Sequence, residues 1–320
     1  FSINGTAKDI YETHKAAHQE EFVKSEGLVA AFDTRLPPEM TFTAEQLNAI
    51  VAESEVGILT IGRNAGEGGD RVEVDDFLLT TLEKKMISDA SKAFQAADKK
   101  LIVVLNVGGV IETASWKNQP DAILLAWQGG QEGGNSAADL ISGKVNPSGK
   151  LPVTFPINLS DHASTQNFPQ DGEQQTIVGL INHMMLGNKK PRPEGKKIKN
   201  KDYTNYEEGV YVGYRHFDKA NLDVAFPFGH GLSYTDFEYS PLEVTLEKDS
   251  IRVSLQIQNT GKRLGKEVVQ VYVSKTNSTI DRPLQELKAF TKTTALEPSA
   301  SEIVQLVIPI SDIRYWDETK

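Results

Sequence analysis

The chain has no cysteine, which removes disulfides, thiolate metal sites and thiol chemistry together. It has no surplus of positive charge: 34 Lys and Arg stand against 44 Asp and Glu, a formal net charge of −10. That balance argues against general binding to nucleic acid or to anionic membranes, both of which draw on a positive surface. A neutral partner such as a sugar is compatible with it. No apolar run approaches the length needed to span a bilayer, and no stretch reads as a signal peptide. The sequence opens at Phe1-Ser2-Ile3-Asn4 without an initiator Met, which leaves room for a leader removed upstream. What is present is length: 320 residues exceed the size at which one core keeps growing, so two domains are expected, and 39% hydrophobic residues supply ordinary cores.

Apolar periodicity divides the chain. Residues 1 to about 55 read as helix and loop, with a polar helix over Ala7–Glu21 and another over Thr43–Glu53, opened by an imperfect capping box at Thr43. The continuous apolar runs Val56–Gly62, Leu101–Val107 and Ala122–Trp127 follow, with a helix over Leu78–Ala97 between the first two. Runs apolar on both faces and separated by helices predict a parallel sheet covered on two sides. A short helix is expected over Gln131–Gly143, with Ala137, Ala138, Leu140 and Ile141 facing inward. Residues 157–207 are polar and irregular, and a long connection of that kind tends to be functional or mobile. Its seven Lys and Arg between Lys189 and Lys201 read first as a solvated loop and second as an anion site. From about Pro241 the period becomes two: Ile251, Val253, Leu255 and Ile257 alternate with polar residues, as do Val269, Val271 and Val273. Asn259-Thr260-Gly261-Lys262 reads as a turn, and Glu302–Ile308 as a further strand, so a small antiparallel sandwich is expected.

Chemistry is expected where the first apolar run empties into Gly62-Arg63-Asn64-Ala65-Gly66-Glu67-Gly68-Gly69-Asp70-Arg71. In open α/β sheets the ligand crevice lies beyond the carboxyl ends of the strands, so Glu67 is the first candidate. Glycines 57, 62, 66 and 68 are read as letting the backbone turn and approach a ligand, and Arg71 offers a fixed fork of donors. Asp70 and Arg71 either pair to shape the loop or touch substrate. Glu73, Asp75 and Asp76 rival Glu67, their plain reading being N-terminal charges on a helix beginning near Phe77. Glu73 is the second choice.

Other motifs carry less. The glycines 129, 130, 133 and 134 beside Trp127 resemble a phosphate cradle, but no Lys-Ser/Thr follows and no Gly-x-Gly-x-x-Gly opens the helix, so close strand-to-helix packing is the preferred reading. His14 and His18 stand at i, i+4 without the intervening Glu of a zincin, which points to a solvated helix face. His230 is expected to anchor a turn. The sequons at Asn4, Asn158 and Asn277 do not discriminate. No cofactor and no metal are expected.

Four separated segments resemble the carboxyl-terminal half of family 3 glycoside hydrolases, the β-glucosidase and β-xylosidase group: Gly66–Arg71; Leu125–Gly134 with Asn146–Pro152; Tyr206–Arg215; and Phe226–Tyr234. Arg282–Phe290 resembles the closing fibronectin-III-like domain. The resemblance implies a three-layer α/β sandwich, a parallel-rich sheet with helices on both faces, followed by a fibronectin-III-like antiparallel β-sandwich. The corresponding bounds are 1–160 for the α/β domain, expected to lack its first strand and helix, 161–235 for a long linker, and 236–320 for the sandwich. It also implies a retaining, exo-acting β-glycosidase in which Glu67 is the acid/base and an Asp nucleophile sits on a (β/α)8 barrel. No Ser-Asp-Trp nucleophile motif and no Lys-His pair of that barrel occur here, so the expectation is a fragment, a nicked half or one chain of a split enzyme, inactive without the barrel half. Secretion or a periplasmic location follows from the family alone, and a homo-oligomer is left open. Rival readings are a non-catalytic carbohydrate-binding or scaffolding module and, more weakly, a nucleotide-binding α/β domain.

Overall fold

The structure is a computed structural model and describes residues 2–22, 39–63, 72–166 and 206–315. It divides into two compact units, Phe1–Gly133 with Ile157–Leu159 and Thr165–Glu207, and Gly134–Pro156 with Ser160–Ser164 and Glu208–Lys320.

The first unit holds helices α1 (Gly5–Ala17), α2 (Gln19–Phe22), α3 (Ala44–Glu53) and α4 (Thr81–Ala96), and strands β1 (Val56–Arg63), β2 (Lys100–Val107) and β3 (Ala122–Leu125). The strands form a parallel sheet with β2 in the centre, in register from Val56 opposite Lys100 to Arg63 opposite Val107. The core gathers Leu59 and Ile61 of β1, Leu101, Val103 and Leu105 of β2, and Ile87, Ala90 and Phe94 of α4. Burial along β1 alternates instead of running through both faces: Gly57, Leu59, Ile61 and Arg63 are buried, whereas Ile58 is 50% exposed. The side chains that alternate inward are those under α4. Gly57 is a packing glycine, since a Cβ there would stand 2.7 Å from both Leu101 and the Phe94 ring, and it serves no ligand approach.

Two capping boxes open helices in this unit. Thr43 and Gln46 satisfy each other's backbone at the start of α3, so the box is complete through Gln46. Thr80 and Glu83 do the same for α4. The expected polar helix over Ala7–Glu21 is interrupted at His18, which caps α1. Asn4 is the N-cap of α1, and its amide also donates to the Ile50 carbonyl and Ser54.

The second unit begins with α5 (Gly133–Ile141), in which Ala137, Leu140 and Ile141 are half-buried and Ala138, expected inward, is exposed. Within the stretch expected to be linker, Tyr214–Ala220 forms a helix, α6, with Asn221 closing it in the left-handed region. Strand β5 (Val224–Phe226) follows and pairs with β4 (Phe155–Pro156). Phe217 anchors α6 by complete burial. The antiparallel strands are β6 (Phe237–Tyr239), β7 (Glu243–Leu246), β8 (Ser250–Asn259), β9 (Val268–Val273), β10 (Glu286–Lys292) and β11 (Ser301–Pro309). One sheet runs β11-β8-β6, with β7 also on β8, and the other pairs β10 with β9. Val253, Leu255, Ile257, Val304 and Ile308 of the first sheet pack with Val269 of the second, as period-two burial requires.

Asn259, read from sequence as part of a turn, is fully buried. Its amide donates to the Arg263 and Leu296 carbonyls at 2.7 and 2.8 Å, and its Oδ1 accepts from the Thr235 hydroxyl at 2.7 Å and the Gly261 amide at 3.1 Å.

Candidate active-site region

Glu67, Asp70 and Arg71, with glycines 66, 68 and 69, lie outside the described residues, and so does the Lys189–Lys201 cluster. The two limbs flanking that loop are described. The outgoing limb ends at Arg63, the last residue of β1, whose side chain is buried. Its guanidinium meets the Glu83 carboxylate bidentately, at 2.5 and 2.7 Å, and donates to the Gly62 carbonyl at 2.7 Å and the Asp76 carbonyl at 2.8 Å. Glu83 also accepts from the Thr80 amide at 2.7 Å, so one carboxylate caps α4 and binds β1. Glu39 is exposed as a residue, yet its carboxyl is held above the usual range, first by desolvation and then by Glu83, with Arg63 and His14 opposing.

The return limb is a single wide turn over Glu73–Phe77. Glu73 is exposed, and its carbonyl accepts from the Leu78 amide at 2.8 Å. Asp75 stands at φ 58, a conformation that a non-glycine residue adopts at a cost and that persists only where the surroundings impose it. Asp76 accepts from the Val72 amide at 3.0 Å. Phe77 is fully buried, and its carbonyl accepts from the Glu112 amide at 2.7 Å. The Asp76 carboxylate therefore holds this turn, and no helix starts at Phe77 for the three acids to serve; α4 starts four residues later, because Thr80 supplies the cap.

The other strand ends carry related features. After β2, buried Glu112 accepts from the Ser115 amide and hydroxyl at 2.6 and 2.9 Å, and its carbonyl accepts from the Trp116 indole. Beyond β3, Trp127 stands at φ 50. A Cβ at Gly129 would lie 2.6 Å from the Gly133 Cα, so backbone proximity explains Gly129, whereas Gly134 meets nothing. The His14 and His18 rings lie 4.3 Å apart, tilted by 36°, with the His18 Nδ1 2.9 Å from the His14 carbonyl. The His230 carbonyl accepts from the Leu151 amide and the His230 amide donates to the Pro227 carbonyl, while its ring stacks on Phe226 at 5.3 Å, which fixes the turn at 227–230. Among the described residues no group of three or more His, Asp or Glu side chains is placed to hold a metal ion, and no helix is long and apolar enough to cross a membrane.

Comparison with known proteins decides the family. Residues 5–234 match the glycosyl hydrolase family 3 C-terminal domain, and residues 267–320 match the fibronectin type III-like domain. The chain belongs to glycosyl hydrolase family 3. Among its relatives, the β-glucosidase A of Butyrivibrio fibrisolvens is 34% identical over 310 residues, covering 83% of this chain and 33% of the relative. The thermostable β-glucosidase B of Acetivibrio thermocellus is 33% identical over 318 residues, covering 97% of this chain and 37% of the relative. The solved structure of β-glucosidase 3B from Thermotoga neapolitana in complex with glucose superposes with a TM-score of 0.79 at 37% identity, over 97% of this chain and 39% of its own. This family 3 chain thus spans 33% to 39% of the length of these three relatives.

The family 3 match includes both limbs of the glycine-rich loop. Sequence reasoning assigned no role to Arg63, Glu83 or Glu112. The signal was an arginine closing an apolar strand, which a buried position tolerates only with a partner.

Proposed function

We propose that this chain supplies the acid/base carboxylate of a retaining, exo-acting β-glucosidase, with Glu67 in that role, Glu73 as the alternate, and Asp70 and Arg71 shaping the loop or contacting sugar. One observation carries the reading: the chain matches solved β-glucosidase 3B over almost its whole length, and its acid-bearing loop leaves the carboxyl end of a parallel strand, where α/β sheets present ligands.

In the proposed reaction an Asp from a (β/α)8 barrel attacks the anomeric carbon, while Glu67 protonates the departing glycosidic oxygen. Glu67 then takes a proton from water as the glycosyl-enzyme is hydrolysed. The two carboxyl groups of retaining enzymes lie roughly 5 to 5.5 Å apart. Acid work at neutral pH requires the donor to hold its proton, which a partly desolvated site or the nucleophile's negative charge nearby would provide. The substrate class is terminal, non-reducing β-linked sugars, no cofactor takes part, and a secreted or periplasmic enzyme fits this chemistry. We take 1–160, 161–235 and 236–320 as the α/β domain, connecting region and sandwich, the last supported by β6 at 237–239 pairing with β8.

The test is reconstitution. The chain alone should not turn over an aryl β-glucoside, and addition of the barrel half should restore hydrolysis. Turnover by the chain alone contradicts the split-site reading. Binding of cello-oligosaccharides by the chain alone, in calorimetric titration, would favour a carbohydrate-binding module instead.

A further inference from the structure

We propose that the buried Arg63–Glu83 pair is a positioning device for the acid/base loop. Arg63 ends the limb by which the chain leaves the sheet, and its Nε holds the Asp76 carbonyl on the limb by which the chain returns, at 2.8 Å. A single guanidinium therefore fixes the distance and angle between the two limbs, and its own orientation is set by the bidentate bond to Glu83 at the first turn of α4. The inference rests on the assignment of the proton donor to this loop and deepens it: Arg63 and Glu83 touch no substrate and act through the backbone they hold.

Three observations support a positioning role. The return limb is pinned twice at consecutive residues, Asp76 by Arg63 and Phe77 by the Glu112 amide, so it is tied both to the end of β1 and to the segment that follows β2. The left-handed Asp75 lies between these anchors and the Glu73 carbonyl, held by Leu78, and is kept there by them. A buried ion pair is also a weak means of stabilising a fold, because apolar residues of similar volume commonly serve as well. What the pair adds is direction: the planar fork of Arg63 addresses β1, α4 and the return limb at fixed angles, which no aliphatic side chain and no lysine reproduces.

The decisive variant replaces the pair with apolar residues, Arg63→Met with Glu83→Leu, first in the chain alone and then in the enzyme reconstituted with its barrel half. In the chain alone, hydrogen exchange at the Phe77 and Leu78 amides should accelerate by about tenfold or more, while the melting temperature falls only by what losing the Glu83 cap on α4 costs, a few degrees. In the reconstituted enzyme, kcat/KM for an alkyl β-glucoside, a poor leaving group, should fall by about 100-fold, as expected for a misplaced catalytic group. Hydrolysis of a dinitrophenyl β-glucoside should fall far less, and the basic limb of the pH profile should shift. Should the double variant fail to fold, Arg63→Lys keeps the charge, loses the fork, and should move the same readouts in the same direction. Unchanged protection at Phe77 and Leu78 overturns the clamp. Wild-type hydrolysis of the alkyl glucoside by the folded variant, or equal loss on both substrates, overturns positioning. Were Glu67→Gln itself without effect on the alkyl glucoside, the acid/base assignment would fall, and with it the positioning role, while the exchange data would still report whether the pair holds the limb.

Discussion

Replacing Asn259 by Ala should unfold the sandwich far more easily than its place in a polar turn suggests. The side chain is fully buried and makes four hydrogen bonds. Two of the partners have alternatives: the Leu296 carbonyl also accepts from Gly265, and the Gly261 amide also donates to the Asp236 carbonyl. Losing those two bonds costs about 1 kcal/mol each. The Thr235 hydroxyl loses a 2.7 Å bond in a buried site and costs about 1–3 kcal/mol when left unmade, whereas the Arg263 carbonyl, on an exposed residue, loses a partly buried 2.7 Å bond worth about 1 kcal/mol. The expected loss is about 4 kcal/mol, which lowers the melting temperature of a unit of this size by roughly 15 °C or more. Urea titration followed by far-UV circular dichroism measures it, and amide exchange along β8 and β11 assigns the loss to the sandwich. Asn259→Asp should be at least as damaging, because a second oxygen would then face two carbonyls. A loss below about 1 kcal/mol for Asn259→Ala would refute the view that this amide organises the end of the sandwich.

Two other perturbations follow from the packing. Gly57→Ala drives a Cβ to 2.7 Å from buried Phe94 and Leu101 and should cost about 1–3 kcal/mol in thermal melts; a neutral substitution would show that α4 yields more readily than its burial implies. The second concerns His162, which packs edge-on against Phe217 at 5.5 Å, and desolvation holds its pKa below the ordinary value, aided by His216 and opposed by Asp161. A histidine whose folded pKa is depressed binds fewer protons folded than unfolded, so its contribution is complete above the unfolded value, about 6.5, and is lost as pH falls below it. The wild type should therefore lose stability between about pH 7 and pH 5 more steeply than His162→Phe, and parallel profiles would contradict this.

Much of the architecture was legible because burial leaves a periodic trace. The apolar runs located β1, β2 and β3 to within a residue or two, and the alternation of Val253, Leu255 and Ile257 gave the inner face of β8. What escaped depends on partners distant in sequence. Asn-Thr-Gly-Lys has the composition of an exposed turn, and only partners distant in sequence, the Thr235 hydroxyl and the Leu296 carbonyl, make Asn259 a buried hub. Arg63 reads as the polar end of a strand until Glu83, 20 residues later, is brought beneath it. Helix α6 spans seven residues, too few for a helical period to stand out from the surrounding polar sequence. At the candidate site, the chemistry of the loop could be read from glycines and acids, whereas the frame that holds its two limbs could not.

The most direct measurement is the effect of Glu67→Gln on two substrates of the reconstituted enzyme. General acid assistance contributes about 10²- to 10⁴-fold where the leaving group needs a proton, and little where it does not. Hydrolysis of an alkyl β-glucoside should fall within that range while a dinitrophenyl β-glucoside reacts at nearly the wild-type rate in the first step. Equal slowing of both, or the selective pattern appearing in Glu73→Gln instead, would contradict the assignment of the proton donor to Glu67.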